Sequence, residues 1–141
     1  MSFKEPLTEE LLGKILESDS IEDLSVPKAY SRRTFAEYFC ELLEIKRKKR
    51  VDVIREAGID ATFGYQIFKG QRNPSRDKVL SLCLALDCTL RETNRALKIS
   101  GANELYSKNR RDVIIIFAIE HNFSFQRTNE ALYEFEEPTL N

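Results

Sequence analysis

The sequence is short of the residue types that build the commonest chemical sites. Cysteine occurs three times, at Cys40, Cys83 and Cys88. The number is odd and no C-x-x-C is present, which argues against a disulfide framework; with His121 as the only imidazole, it also argues against zinc. Free thiols in apolar patterns suit a reducing compartment, so a cytoplasmic location is expected. Five glycines and four prolines leave little material for long loops. The longest apolar run, "VIIIFAI" from Val113 to Ile119, is too short to cross a bilayer, and no membrane partner is expected. The first residues are acidic and polar, so they are not expected to be a signal peptide. No glycine-rich phosphate loop occurs, and His121 has neither a nearby nucleophile nor a paired carboxylate. No catalytic residue, cofactor or metal is therefore assigned, and the chain is expected not to be an enzyme.

What the sequence does contain is a globular composition, with 42% apolar and 32% charged residues over 141 positions. That length buries a core without disulfides or metals. The net charge of −1 argues against indiscriminate polyanion binding, but the charge is unevenly placed. Residues 32–78 carry twelve basic against seven acidic residues, whereas 1–31 carry three against seven and 79–141 seven against nine. Local basicity of this kind is the electrostatic footprint a nucleic-acid surface needs.

Helical periodicity runs through nearly every segment, and no alternation of period two competes with it. "LTEELLGKILES" puts Leu11, Leu12, Ile15 and Leu16 on one stripe behind Thr8 as N-cap, and a connector broken by Pro27 follows. Thr34 and Glu37 have capping-box spacing ahead of a stripe of Phe35, Phe39, Leu42 and Leu43. A short helix with an apolar face of Val53, Ile54 and Ala57 ends at Gly58, placed for the left-handed conformation. Asp60 caps a third helix, Ala61–Lys69, which Gly70 closes. Ser75 starts a fourth, about Arg76–Leu86, and the Thr89–Glu92 capping box opens a fifth, Leu90–Lys98.

The last third repeats what precedes it. At a constant offset of 35 residues, Arg76-Asp77 falls on Arg111-Asp112, Thr93-Asn94 on Thr128-Asn129, Ala96-Leu97 on Ala131-Leu132, and Thr89 on Ser124. The expected architecture is a duplicated αα-hairpin. The β-branched run "VIIIFAI" suits a strand by propensity, but its repeat partner is helical. A helix that is apolar all round and buried on most sides is therefore expected.

The stretch "VIREAGIDATFGYQIFKGQRNPSRDKVLSLCLALDCTLRE" carries a family resemblance. Its second helix, its "AGI" turn, a third helix ending in "IFKG", the "GQRNPS" loop and two following helices resemble the DNA-binding domain of the Cro/C1-type (XRE-like) repressors. The resemblance covers about Phe35 to Leu97. It implies an all-α fold: a five-helix lambda-repressor-like helix-turn-helix domain, here with an N-terminal helix and the duplicated C-terminal αα-hairpin added. The domain plan is then residues 1–31 for the N-terminal helix and connector, 32–98 for the helix-turn-helix domain, and 99–141 for a hairpin that packs on the core or dimerises.

Departures from the family pattern carry information. Ile54 stands where a small residue is usual in the second helix, and Gly64 where a β-branched one is usual in the third. Exchanging large for small on one side and small for large on the other conserves volume, so Ile54 is expected to fill the hole Gly64 leaves. Phe68 replaces a common glutamate. Lys49-Arg50-Val51 replaces the usual Ser-Gln pair at the start of helix two, so the family's usual side-chain contact to phosphate is missing there, although a basic side chain can substitute for it.

Helical spacing turns Phe63, Gly64 and Ile67 inward, leaving Ala61, Thr62, Tyr65, Gln66 and Lys69 outside. The resemblance implies that this outer flank reads double-stranded DNA in the major groove. Gln66 is suited to adenine, Ala61 and Thr62 to a thymine methyl, and Lys69 to guanine or phosphate. Backbone contacts are assigned to Lys49, Arg50, Arg72, Asn73 and Arg76. In "KRKKR", Lys46–Arg50, not all five cations can face one way, and the helix C-terminal dipole is the other use for them. The function expected is a sequence-specific DNA-binding transcriptional regulator, with a homodimer through the C-terminal hairpin. The alternative is a protein-interaction adaptor or inhibitor that keeps the fold without DNA readout and engages a protein partner.

Overall fold

In a computed structural model, residues 33–141 are described; the N-terminal helix and connector expected over residues 1–31 lie outside them. Among the described residues there are seven α-helices and no strand. The all-helical fold is as expected. We number the helices α1 (Phe35–Lys46), α2 (Arg50–Glu56), α3 (Ala61–Phe68), α4 (Arg76–Ala85), α5 (Leu90–Ile99), α6 (Arg110–Glu120) and α7 (Phe125–Glu134).

Six of the seven helices start where a short polar side chain can take an otherwise unpartnered backbone N–H. Thr34 accepts from Glu37 N, Asp60 from Phe63 N, Ser75 from Lys78 N, Thr89 from Glu92 N, Asn109 from Asp112 N and Ser124 from Arg127 N. Only Thr89–Glu92 forms the complete reciprocal box; in the other expected box, the Thr34 hydroxyl donates to the Glu37 carboxylate at 3.1 Å. Lys49 opens α2 with no side-chain cap. Gly58 and Gly70 have φ of +66° and +77°, left-handed conformations in which a Cβ is penalised.

Residues 34–141 form one compact unit. α4 is its central helix: Val79 through Leu86 are all buried, and α4 packs on α2, α5 and α7. α1 lies on α3 and α5, contributing Phe35, Tyr38, Phe39, Leu42 and Leu43 to the core. α6 packs on α5 and α7. Its environment differs from the expectation. Ile115, Ala118 and Ile119 are buried, but Val113 and Phe117 remain 46% and 53% exposed. No later helix covers the side of α6 they occupy, which an all-apolar run of residues cannot signal.

The spacing of 35 residues reappears in the hydrogen bonds. Asn94 Oδ1 accepts from Leu105 N at 2.9 Å, and Asn129 Oδ1 from Leu140 N at 2.8 Å. Arg76 Nε donates to Asn103 O and Arg111 Nε to Pro138 O. The two Arg-Asp dipeptides then exchange partners. Arg76 forks onto Asp112 at 3.1 and 2.9 Å, and Arg111 onto Asp77 at 2.9 and 3.1 Å. Each pair is bidentate, the strong geometry for an arginine–carboxylate contact. Together they fasten the start of α6 to the start of α4.

Candidate nucleic-acid interface

α3 is positioned by a close crossing with α2. A Cβ built on Gly64 would lie 2.5, 2.9 and 3.0 Å from Cγ2, Cγ1 and Cδ1 of Ile54. Gly64 is buried, and Ile54 is only 2% exposed. The isoleucine therefore occupies the volume a side chain at 64 would need. This answers why a residue that costs about 1 kcal/mol in a helix interior stands in the middle of α3. Ile67 and Phe68 complete the buried side, with the Phe68 ring 6.0 Å from that of Phe39.

On the opposite flank, Ala61, Thr62 and Lys69 are exposed, and Tyr65 and Gln66 half-buried. The main neighbours of α3 are α1 and α2, and neither helix of the C-terminal hairpin is among them. No acidic residue occurs from Ala61 to Arg76. Phe63 is not in the core as its spacing suggests; it is half-buried. Its ring lies 5.3 Å from the Arg72 guanidinium and 5.1 Å from Lys78 Nζ, both within cation–π range.

The five cationic or amide groups assigned to the nucleic-acid backbone have different surroundings. Lys49 is exposed. Arg50 is half-buried, with its guanidinium 5.3 Å from the Phe68 ring centroid and Nη2 3.8 Å from Cys40 Sγ. Arg72 is exposed, but Nε donates to Gln66 Oε1 at 3.0 Å and its backbone N–H donates to the Gln66 carbonyl at 3.3 Å. Asn73 Nδ2 donates to Ser100 O at 3.1 Å, tying the loop to the end of α5.

Arg76 requires a correction. Its nitrogens bond Asp112 Oδ1 and Oδ2 and the carbonyls of Asn103 and Glu104. With all three guanidinium nitrogens engaged inside the protein, it is a structural residue rather than a phosphate contact. Lys78, to which the sequence analysis assigns no role, lies beside this flank instead, with Nζ over the Phe63 ring. The available signal was its place in the first turn of α4, two residues beyond Arg76.

The pentabasic run divides in the same way. Lys46 pairs with Glu92 at 3.0 Å and donates to Asp87 O. Lys48 pairs with Asp87 at 2.7 Å and donates to Ala85 O. These two clasp α1 to the α4–α5 turn, which leaves the exposed Arg47 and Lys49 and the half-buried Arg50 for an external anion. His121 ends α6, stacked 3.9 Å from Phe117 with Nδ1 2.9 Å from Phe117 O. No group of three or more His, Cys, Asp or Glu side chains able to hold a metal exists among the described residues. No helix among them is long and apolar enough to cross a membrane. Comparison with protein-family models, curated proteins and solved structures finds no match for this chain.

Proposed function

We infer that the chain is a sequence-specific DNA-binding transcriptional regulator of the Cro/C1-type (XRE-like) kind. In this reading α1–α5 form a five-helix lambda-repressor-like domain over residues 32–98, and α2 and α3 form its helix-turn-helix. α3 enters the major groove with Ala61, Thr62, Tyr65, Gln66 and Lys69 toward the bases. Lys49, Arg50 and Lys78 supply charge to the phosphates, with Asn73 fixing the loop that follows α3. The observation that carries this reading is the outer flank of α3: exposed, without an acidic side chain, and bordered by Lys69, Arg72 and Lys78. The exposed Phe117, Tyr133 and Phe135 on and after the last two helices support a homodimer through the C-terminal hairpin, which would pair two half-sites.

Selection of bound sequences from random duplex DNA, followed by a salt titration on the selected duplex, tests the reading. A regulator enriches one sequence and loses affinity steeply as salt rises, because counterions are released from the phosphates it neutralises. Absence of enrichment, with duplex affinity negligible at physiological salt, would reject it in favour of a protein-interaction adaptor.

A further inference from the structure

The contact between Arg72 and Gln66 bears on which base α3 reads. An arginine has only N–H donors, so the Gln66 atom 3.0 Å from Arg72 Nε must be the carbonyl oxygen. That fixes the amide: its NH2 is the end left to point away. A second bond, from the Arg72 backbone N–H to the Gln66 backbone carbonyl at 3.3 Å, holds the two residues close together. The stem and head of Arg72 are further constrained by the Phe63 ring at 5.3 Å. The Nη groups of Arg72 belong to the same planar fork and carry further N–H donors.

We propose that Arg72 and Gln66 form one reading unit selective for guanine, with Arg72 as the residue that positions Gln66. This rests on α3 being the recognition helix. Read alone, a glutamine suits adenine, accepting from N6–H and donating to N7. Here the acceptor already faces a guanidinium, and an adenine N6–H brought to it would meet that cation's own N–H groups. Guanine presents N7 and O6, two acceptors, and so matches a surface made of donors.

The test is site selection with the full-length wild type, Gln66→Ala and Arg72→Met, the last keeping an unbranched stem over Phe63 without any N–H. The wild type is expected to select guanine at one position, and Gln66→Ala to lose preference there. Arg72→Met is expected to lower the guanine-over-adenine ratio at that same position about tenfold, within the range of a single bidentate contact. In DNA-free protein, the Arg72 Nε–H resonance should shift on Gln66→Ala. Adenine selected by the wild type at that position would overturn the proposal. So would an Arg72→Met protein that weakens on all sequences alike with its preference unchanged, which marks Arg72 as a phosphate contact. Those outcomes leave the DNA-binding reading standing; a wild type that enriches no duplex removes both.

Discussion

Replacing Gly64 by alanine separates two effects that usually act together. In most helices the change stabilises by about 1 kcal/mol, because alanine has the higher helix propensity. Here the new Cβ would lie 2.5 Å from Ile54 Cγ2, with two more atoms of the same side chain at 2.9 and 3.0 Å. Cγ2 sits on a β-branched carbon, whose χ1 has little freedom inside a helix, and Ile54 is 2% exposed. Overpacking of this kind costs about 1–3 kcal/mol, so Gly64→Ala should be destabilising on balance by about 1 kcal/mol. Ile54→Ala alone should cost about 2–5 kcal/mol, the range for emptying a buried aliphatic site. With the isoleucine truncated, all three clashing atoms are gone. Gly64→Ala in that background should stabilise by about 1 kcal/mol, and Gly64→Val should refill more of the cavity. The sign of one substitution thus reverses with the identity of residue 54, a coupling of about 2 kcal/mol. Urea unfolding of the four proteins, followed by far-ultraviolet circular dichroism and analysed at constant m-value, measures it. Equal effects of Gly64→Ala in both backgrounds would refute the packing argument.

Three further expectations follow from the described contacts. Arg76→Ala should cost about 3 kcal/mol, because it leaves the Asp112 carboxylate, only 7% exposed, with the Tyr106 N–H but no cation; Arg111→Ala should cost less, because Asp77 is 40% exposed and stays hydrated. Unfolding curves for the two variants compare them directly, and Arg76→Lys should not rescue a bidentate site. Gly58→Ala combines backbone strain of about 1–2 kcal/mol at φ +66° with a Cβ only 2.6 Å from the Phe125 ring; adding Phe125→Ala should remove the steric part of the coupling and leave the strain. For the thiols, a hydrogen bond with Cys83, reinforced by burial, raises the Cys88 pKa well above its ordinary value. Cys88 held neutral is unreactive, and Cys83 and Cys88 are both buried, so a disulfide reagent at neutral pH should modify the partly exposed Cys40 first and reach the other two only on unfolding. Rapid labelling of all three in the native protein would contradict that order.

The parts of the fold legible in the sequence were those governed by neighbours in the chain. Thr34, Asp60, Ser75, Thr89 and Ser124 cap helices because capping is a three-residue geometry, and Gly58 is left-handed because the turn after α2 demands it. The Gly64–Ile54 packing was readable because volume exchange between two facing positions leaves a mark at both. Arg76 was misread for the opposite reason. Its partner Asp112 lies 36 residues away, and nothing local distinguishes an arginine aimed at a carboxylate from one aimed at solvent. Helical period places Phe63 inward and an all-apolar run implies burial for Phe117, but neither says whether another helix arrives to cover the face. The Gln66–Arg72 bond crosses a loop whose path no spacing rule supplies.

The crossed pairing of Arg76 with Asp112 and Arg111 with Asp77 ties two copies of one sequence pattern together. Had each arginine bonded the aspartate beside it, either copy would be free to vary alone. Because each copy holds the other's charge, a change in one dipeptide is felt at once in its counterpart, and the least disruptive way to alter the clasp is to reverse both ends of a pair together. Removing the last 35 residues would take away Arg111 and Asp112 together, leaving Arg76 only the carbonyls of Asn103 and Glu104 and Asp77 without its arginine.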